Sequence, residues 1–383
     1  MTDVVVGMVG AGQLARMTAA PAIALGIHLR VLAETADDPA AQVLPDVVLG
    51  DYRDLEALRR FAKGCDVVTF DHEHVPTDHL KALEDDGIRV RPGPAALLHA
   101  QDKLAMRERL DAVGAAVPRW VRVETAADLD DFVRVAGGPS GEVVLKTARG
   151  GYDGKGVRVV GGSADALDWL AEGTSLLAEE RVVFRRELAV LAARSPSGQA
   201  AVYPVVESLQ VNGICREVMA GAPRLDEDRA LAAQEVALEI ARALDVVGVM
   251  AVEMFETHDG VLVNELAMRP HNTGHWTIEG AVTSQFEQHL RAVLDMPLGS
   301  PAMLTDKAVM VNVLGGDLPD LHPAFAHVMA RDPALKVHLY GKEIRPGRKV
   351  GHVTVLGGAT DSVDSLLERG RHAAGYLTGE IDE

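Results

Sequence analysis

The chain has 383 residues, 48% hydrophobic and 25% charged, with a formal net charge of −18. That length holds two or three domains with sizeable cores, and the acidic balance excludes a polyanion as main partner, since nucleic-acid binding rests on Lys and Arg facing phosphates. Cys65 and Cys215 lie far apart without C-x-x-C spacing, which excludes a disulfide framework and a cysteine zinc site.

In chain order, Val4 to Val9 predicts a strand, Gln13 to Leu25 a helix, and His28 to Ala33 and Val67 to Phe70 two more strands. That alternation implies a parallel sheet with crossover helices. Between the first strand and helix, "GAGQLA" (Gly10 to Ala15) fits G-x-G-x-x-[GA], with Glu34 ending the next strand. Physically the pattern is a tight turn that presents helix amides to a phosphate. A dinucleotide, another phosphorylated ligand, or a turn that only packs helix on strand would each account for it. The first residues lack the basic n-region of a signal peptide, and the longest uncharged apolar run, Met17 to Leu29, is too short to span a bilayer. A cytoplasmic protein is expected.

"RPGP", Arg91 to Pro94, breaks regular structure and marks a boundary. Beyond it, the stretch from Asp102 reads as an amphipathic helix ending at Gly114. A strand at Val143 to Lys146, a loop, and a strand at Val157 to Val160 follow. The loop lies in "KTARGGYDGKGV", four glycines and two lysines in which bare backbone and point charges suit an anionic ligand. It is not a P-loop, because Gly156 follows Lys155 where Ser or Thr is required. Strand, glycine loop and strand make a hairpin-like flap.

Strands at Ser175 to Glu180 and Glu187 to Arg194 precede a helix from about Asp226 to Leu244. Val249 to Glu256 and Val261 to Leu266 are then separated by His258, Asp259 and Gly260, which suits a three-residue hairpin loop. That register pairs Thr257 with Val261 and sets Glu253 opposite Glu265. Like charges across a ladder are destabilising. Magnesium, taking both carboxylates, Asn264 and substrate phosphates, would compensate them; alternatively, the register is off by one and one glutamate points outward. The remainder of the chain reads as a small strand-rich closing segment.

A magnesium site on two strands, a glycine flap and a lysine on the preceding strand resemble the ATP-grasp superfamily. "GGYDGKG", "NELAMRPHNTGHWT", "SQFEQHLRA" and "RPGRKVGH", in that order over nearly the whole chain, resemble the N5-carboxyaminoimidazole ribonucleotide synthase family of purine biosynthesis. The resemblance implies an α/β chain in three parts: a Rossmann-like pre-ATP-grasp domain at 1–94, an ATP-grasp domain of two subdomains at 95–296 with its flap at 149–157, and a small C-terminal domain at 297–383. It implies a carboxylating ligase that uses MgATP and bicarbonate, through carboxyphosphate, on the exocyclic amine of aminoimidazole ribonucleotide. A homodimer is expected on the same ground.

By the same resemblance, Lys103 and Lys146 hold ATP phosphates beneath Gly151, Tyr152, Asp153, Gly154, Lys155, Gly156 and Val157. Glu179, Glu180, Arg181 and Val182 form the adenine hinge, Glu187 binds ribose with Gln210 nearby, and Asn264 flanks the metal ligands Glu253 and Glu265. Gly12, Gln13, Leu14, Glu73, Lys342 and Arg348 receive the ribotide. Tyr152, Asp153, Lys155, Arg269 and His271 enclose bicarbonate and the reacting amine, with Asp153 as proton acceptor and Arg269 holding the carboxylate. The chain departs from the family pattern at Met268, usually Pro, at Thr273, usually Ser, and in its histidine-rich "FDHEHV".

"HEH" at His72 to His74 and "HNTGH" at His271 to His275 invite a zinc reading, but alternation on a strand separates Glu73 from the two histidines, and Asn272-Thr273-Gly274 is poor helix material. Within the superfamily, a formate-dependent glycinamide ribonucleotide transformylase or a biotin carboxylase would share the ATP residues. A nicotinamide oxidoreductase would use "GAGQLA" with Glu34, but leaves Glu253, Glu265 and the glycine loop without a role. A noncatalytic nucleotide-sensing module is a third reading.

Overall fold

The computed structural model describes residues 4–151, 155–316 and 318–381. Three sheets organise them. The first is parallel, in the order Asp46–Leu49, His28–Ala33, Val5–Val9, Val67–Phe70. Helices Gln13–Ala24 and Leu55–Ala62 are the expected crossovers between its strands, and Thr77–Asp85 follows the last of them. The Asp46–Leu49 strand escapes the sequence pattern because it is a four-residue, half-exposed edge with no alternation. The carboxyl ends of the central strands open onto Gly10–Gln13 and Asp71–Glu73, the end at which open α/β sheets bind ligands.

The second sheet is antiparallel, in the order Trp120–Val123, Leu176–Glu180, Val143–Thr147, Val157–Val160. Val143–Thr147 and Val157–Val160 form the expected hairpin, with Lys146 opposite Val157 and the glycine loop at its tip. Helix Ala126–Ala136, closed by a capping box between Thr125 and Asp128, packs on this sheet through Leu129, Phe132 and Ala136.

The third sheet has nine antiparallel strands. Its path runs Val261–Ala267, Gly248–Glu256, Arg186–Arg194, Val206–Val211, Ile214–Ala220, Lys307–Leu314, Lys349–Gly357, Lys336–Leu339, and Ala200–Val202 pairs off this path with Arg186–Arg194. The sheet therefore runs without interruption into the last part of the chain. That closing segment carries two helices, His322–Arg331 and Val363–Thr378, besides its strands.

Gly248–Glu256 is buried on both faces, so it reads as a continuous apolar run. Met250, Val252 and Met254 enter one core with helix Glu227–Ala243, while Val249 and Ala251 enter another. Glu253 shares the second face by simple alternation.

His289, on helix Gln285–Val293, ties the first sheet to the third. Its Nδ1 accepts the Val249 N–H at 3.1 Å, which leaves Nε2 to donate to Thr69 Oγ1 at 2.7 Å. Burial holds the ring neutral, with its pKa down to about 4. His289→Ala would strand a buried hydroxyl and a buried amide, so a loss of about 2–4 kcal/mol is expected, read as a lower midpoint in chemical denaturation.

Candidate active site

Two cavities meet over the third sheet. One, of about 1320 Å³, is lined by Lys146, Val157, Glu179–Val182, Glu187, Gln210 and Asn264. The other, of about 1110 Å³, is lined by Gly12–Leu14, Glu73, Lys103, Gly151, Lys155, Arg269, Lys342 and Arg348. Glu253, Glu265, His271, Asn272 and Lys349 line both. Gly156 lines neither: it has φ +69°, and a Cβ there would lie 2.4 Å from Thr147 Oγ1. Tyr152, Asp153 and Gly154 lie outside the described residues.

The glutamates face each other, but not by the register expected from the loop. Val261 pairs with Glu256, not Thr257, and a bulge between Glu253 and Met254 then restores the opposition of Glu253 and Glu265. Asn264 is the extra residue, so Val263 and Leu266, three apart, enter the same core.

Each carboxylate has its own partner. Lys103 Nζ lies 2.9 Å from Glu265 Oε1, and His271 Nε2 lies 3.1 Å from Glu253 Oε1. Burial alone would raise the Glu265 pKa, but Lys103 and then Lys146 outweigh it and hold it low. About a third of Glu265 and 29% of Glu253 remain open to the cavities. Two opposed, accessible carboxylates with the Asn264 amide beside them are a hard-oxygen donor set that fits magnesium.

Lys146 stands on the facing hairpin. Its Nζ lies 2.8 Å from Glu179 Oε2, 3.2 Å from Asn264 Oδ1 and 3.9 Å from Glu265 Oε1. Arg107, fully buried, donates Nε to Glu179 Oε1 at 2.6 Å and reaches the carbonyls of Val263 and Asn264. Burial would raise the Glu179 pKa, yet Lys146 and Arg107 hold it down to about 2. The Glu179 side chain thus anchors Lys146, leaving the exposed hinge beyond it to line the cavity. Phe184 stacks on Phe255, centroids 4.8 Å apart, and supplies an apolar wall that no sequence pattern singled out.

Across the junction, Arg269 Nε lies 2.7 Å from Glu73 Oε2. The Met268 N–H donates to the other Glu73 oxygen at 3.1 Å, a bond the family's usual proline lacks the hydrogen to make. Thr273, in place of serine, keeps its hydroxyl 2.9 Å from His271 Nδ1. Lys342 Nζ donates to Gln13 Oε1 at 2.6 Å, joining the C-terminal loop to the first helix.

The Gly10–Ala15 turn is occupied from within. Asp71 accepts the Gly12 and Ala15 amides at 2.7 and 2.9 Å, and a Cβ on Gly12 would lie 2.3 Å from Asp71 Oδ2. The glycine makes room for a protein carboxylate where a dinucleotide would bring its pyrophosphate. His72 and His74 stack with centroids 5.2 Å apart while Glu73 turns to Arg269, and His275, Trp276 and His352 are fully buried in packing positions.

Two antiparallel sheets that close on a nucleotide-sized cavity, with lysines from one side and paired glutamates from the other, define an ATP-grasp protein. The ATP-grasp domain family matches residues 108–286, the ribonucleotide synthetase preATP-grasp domain 2–101, and the phosphoribosylaminoimidazole carboxylase C-terminal domain 308–366. The N5-carboxyaminoimidazole ribonucleotide synthase of Mycobacterium tuberculosis is 56% identical over 381 residues, covering 97% of this chain and 87% of the relative. The solved synthetase of Thermus thermophilus is 39% identical with a TM-score of 0.87 and 99% coverage of both chains. The Aspergillus clavatus enzyme, solved with ADP and 5-aminoimidazole ribonucleotide, is 32% identical with a TM-score of 0.88, covering 99% of this chain and all of that one. The chain belongs to the N5-carboxyaminoimidazole ribonucleotide synthase family, and its fold is α/β.

Glu187 lies near these carboxylates. Burial, and then the neighbouring Glu253 charge, push it up to about 7, against a hydrogen bond from the Gln210 backbone. The folded chain thus holds this proton more tightly than the unfolded one, so ionisation costs stability. The cost is absent below the ordinary glutamate range, grows as pH rises, and is complete above about 7. Glu187→Gln is expected to raise Tm over the parent by about 2–4 °C at pH 8, and by progressively less towards pH 5, in scanning calorimetry without nucleotide or magnesium.

Proposed function

We infer that the chain is an ATP-dependent ligase that carboxylates 5-aminoimidazole ribonucleotide to N5-carboxyaminoimidazole ribonucleotide in purine biosynthesis. The observation that carries this reading is the junction of the two cavities at Glu253, Glu265 and His271, which lets a phosphoryl group formed in one be used in the other. The Aspergillus relative, solved with ADP and the ribotide, supports it.

ATP lies in the larger cavity, its adenine against the Glu180–Val182 hinge and Phe184, its ribose near Glu187 and Gln210. Lys146 and Lys103 meet the phosphates, and Val157 and the glycine loop cover them. Glu253 and Glu265, beside Asn264, would hold magnesium, which would neutralise developing phosphate charge. Lys103, beside Glu265, would face the phosphates, and His271, beside Glu253, would face the bicarbonate.

In the other cavity, Lys342 and Arg348 bind the ribotide phosphate beside Gly12–Leu14, and Glu73 lies under its base. Bicarbonate oxygen attacks the γ-phosphorus and expels ADP, giving carboxyphosphate. The exocyclic amine then takes the carboxyl carbon as the phosphate–carboxyl bond breaks. Arg269, oriented by Glu73, holds the carboxylate; Asp153 takes the amine proton; Tyr152 and Lys155 close the site with Gly151, Gly154 and Gly156. Water exclusion matters because carboxyphosphate is labile.

The organisation we propose is a Rossmann-like domain at 1–94, an ATP-grasp domain at 95–296 and a C-terminal domain at 297–383, acting as a cytoplasmic homodimer. Among the described residues no helix is long and apolar enough to cross a membrane.

The direct test is ADP release with MgATP and labelled bicarbonate, with and without the ribotide, trapping the product. Ribotide-stimulated, bicarbonate-dependent ADP formation with label in the product is expected; ADP release indifferent to the ribotide would refute the second substrate. Glu265→Gln is expected to lower kcat by about 100-fold or more and to weaken activation in a magnesium titration. Asp153→Asn should abolish carboxylation while nucleotide binding, measured calorimetrically, stays within about twofold.

A further inference from the structure

His271 belongs to an irregular segment after the Val261–Ala267 strand, followed by a single short turn at Asn272–Gly274. Its imidazole nevertheless has a defined direction. Thr273 Oγ1 lies 2.9 Å from Nδ1, and the Thr273 N–H also points at Nδ1 from 3.5 Å, so the ring proton sits on Nε2, facing Glu253. What fixes the main chain beneath that ring is a side chain 14 residues later.

Gln285 is fully buried at the first position of helix Gln285–Val293. Its Oε1 accepts the His271 N–H at 2.8 Å, and its Nε2 donates to the His271 carbonyl at 2.8 Å and to His275 Nδ1 at 3.0 Å. A backbone N–H only donates and a carbonyl only accepts, so exchanging the two ends of the carboxamide would break both bonds. The amide therefore grips one residue's backbone on both sides, as a neighbouring strand would.

The surroundings are shaped to it. A Cβ on Gly274 would lie 2.4 Å from Gln285 Oε1 and 2.4 Å from Leu191 Cδ2. Thr277 Oγ1 accepts the Gln285 N–H at 2.9 Å and donates to the Gly274 carbonyl at 2.6 Å. The helix behind Gln285 is rigidly seated, with Phe286, Gln288 and His289 all buried.

We propose that Gln285 is a positioning residue for carboxylation: its carboxamide holds the His271 backbone so that the imidazole meets Glu253 where the two cavities join. The proposal rests on the reading that His271 takes part in the chemistry. It predicts that Gln285 matters through His271 alone. Losing the clamp misplaces one group where the two cavities join and leaves the hinge, Glu187, Gln210 and Lys146 of the nucleotide cavity in place.

The test is steady-state kinetics of Gln285→Ala and Gln285→Met, each in the parent and in His271→Ala, with Tm measured for all. Methionine keeps the length and apolar packing of the side chain should the alanine variant fail to fold. In the parent, kcat is expected to fall about tenfold or more while the KM for ATP changes less than about threefold. In His271→Ala, the further loss is expected to stay below about twofold. An equal fold-loss in both backgrounds, or a loss that follows the folded fraction, would overturn the proposal. Parental kcat in His271→Ala would overturn it together with the role of His271. A parent without ribotide-dependent ADP formation would remove the functional reading beneath both.

Discussion

Two carboxylates placed opposite each other on adjacent strands are the constraint around which this chain is arranged. Glu253 and Glu265 repel, and the fold answers with Lys103 on one and His271 on the other, while Lys146 stands 3.9 Å from the second. Such a cluster is costly to assemble in a buried setting unless each charge has a partner. The partners come from three different regions, so the carboxylates gather the site about themselves. In the proposed function these same partners, Lys103, Lys146 and His271, are the groups that meet phosphate and bicarbonate.

The Arg107–Glu179–Lys146 triad has a different character. Here the charges are almost wholly buried, and Arg107 adds bonds to the Val263 and Asn264 carbonyls. Replacing such a group by apolar residues often costs little stability. Its value lies in direction: a flexible lysine is held at a fixed height over the bulge that carries Asn264. The bulge and the triad therefore set the geometry of the phosphate site together.

Much of this was legible in the residues, because it depends on local pattern. The alternation of the first hundred residues, the glycine hairpin and the helix now seen at Glu227–Ala243 follow from periodicity and turn chemistry. The opposition of the glutamates was reached through a loop register that the structure corrects by one residue, and the bulge at Asn264 supplies the compensating shift. Nothing in a strand of seven residues announces a bulge. The strands Val206–Val211 and Ile214–Ala220 form a hairpin that the Asn212-Gly213 turn, with both residues at positive φ, did announce; polar residues such as Glu207, Gln210, Arg216 and Glu217 break up the apolar runs on either side of it. Arg107, Asp71 and Gln285 carry no local signal at all: an arginine on a charged helix, an aspartate after a strand and a glutamine at a helix start declare a role only once their partners are folded against them.

The nine-stranded sheet has a mechanical consequence. Strands bearing Glu253 and Glu265 and the strand beginning at Lys349, next to the loop of Lys342 and Arg348, belong to one hydrogen-bonded ladder. The proposed metal ligands and the strand that follows the proposed ribotide anchors thus form a single anvil whose parts cannot separate without breaking backbone pairing. Among the described residues, the four-stranded sheet with Lys146 and the glycine hairpin shares no ladder with it. It meets the large sheet through side chains instead, Lys146 at Asn264 and Arg107 between Glu179 and the Val263 and Asn264 carbonyls, so any separation of the two would break side-chain contacts and leave every backbone ladder whole.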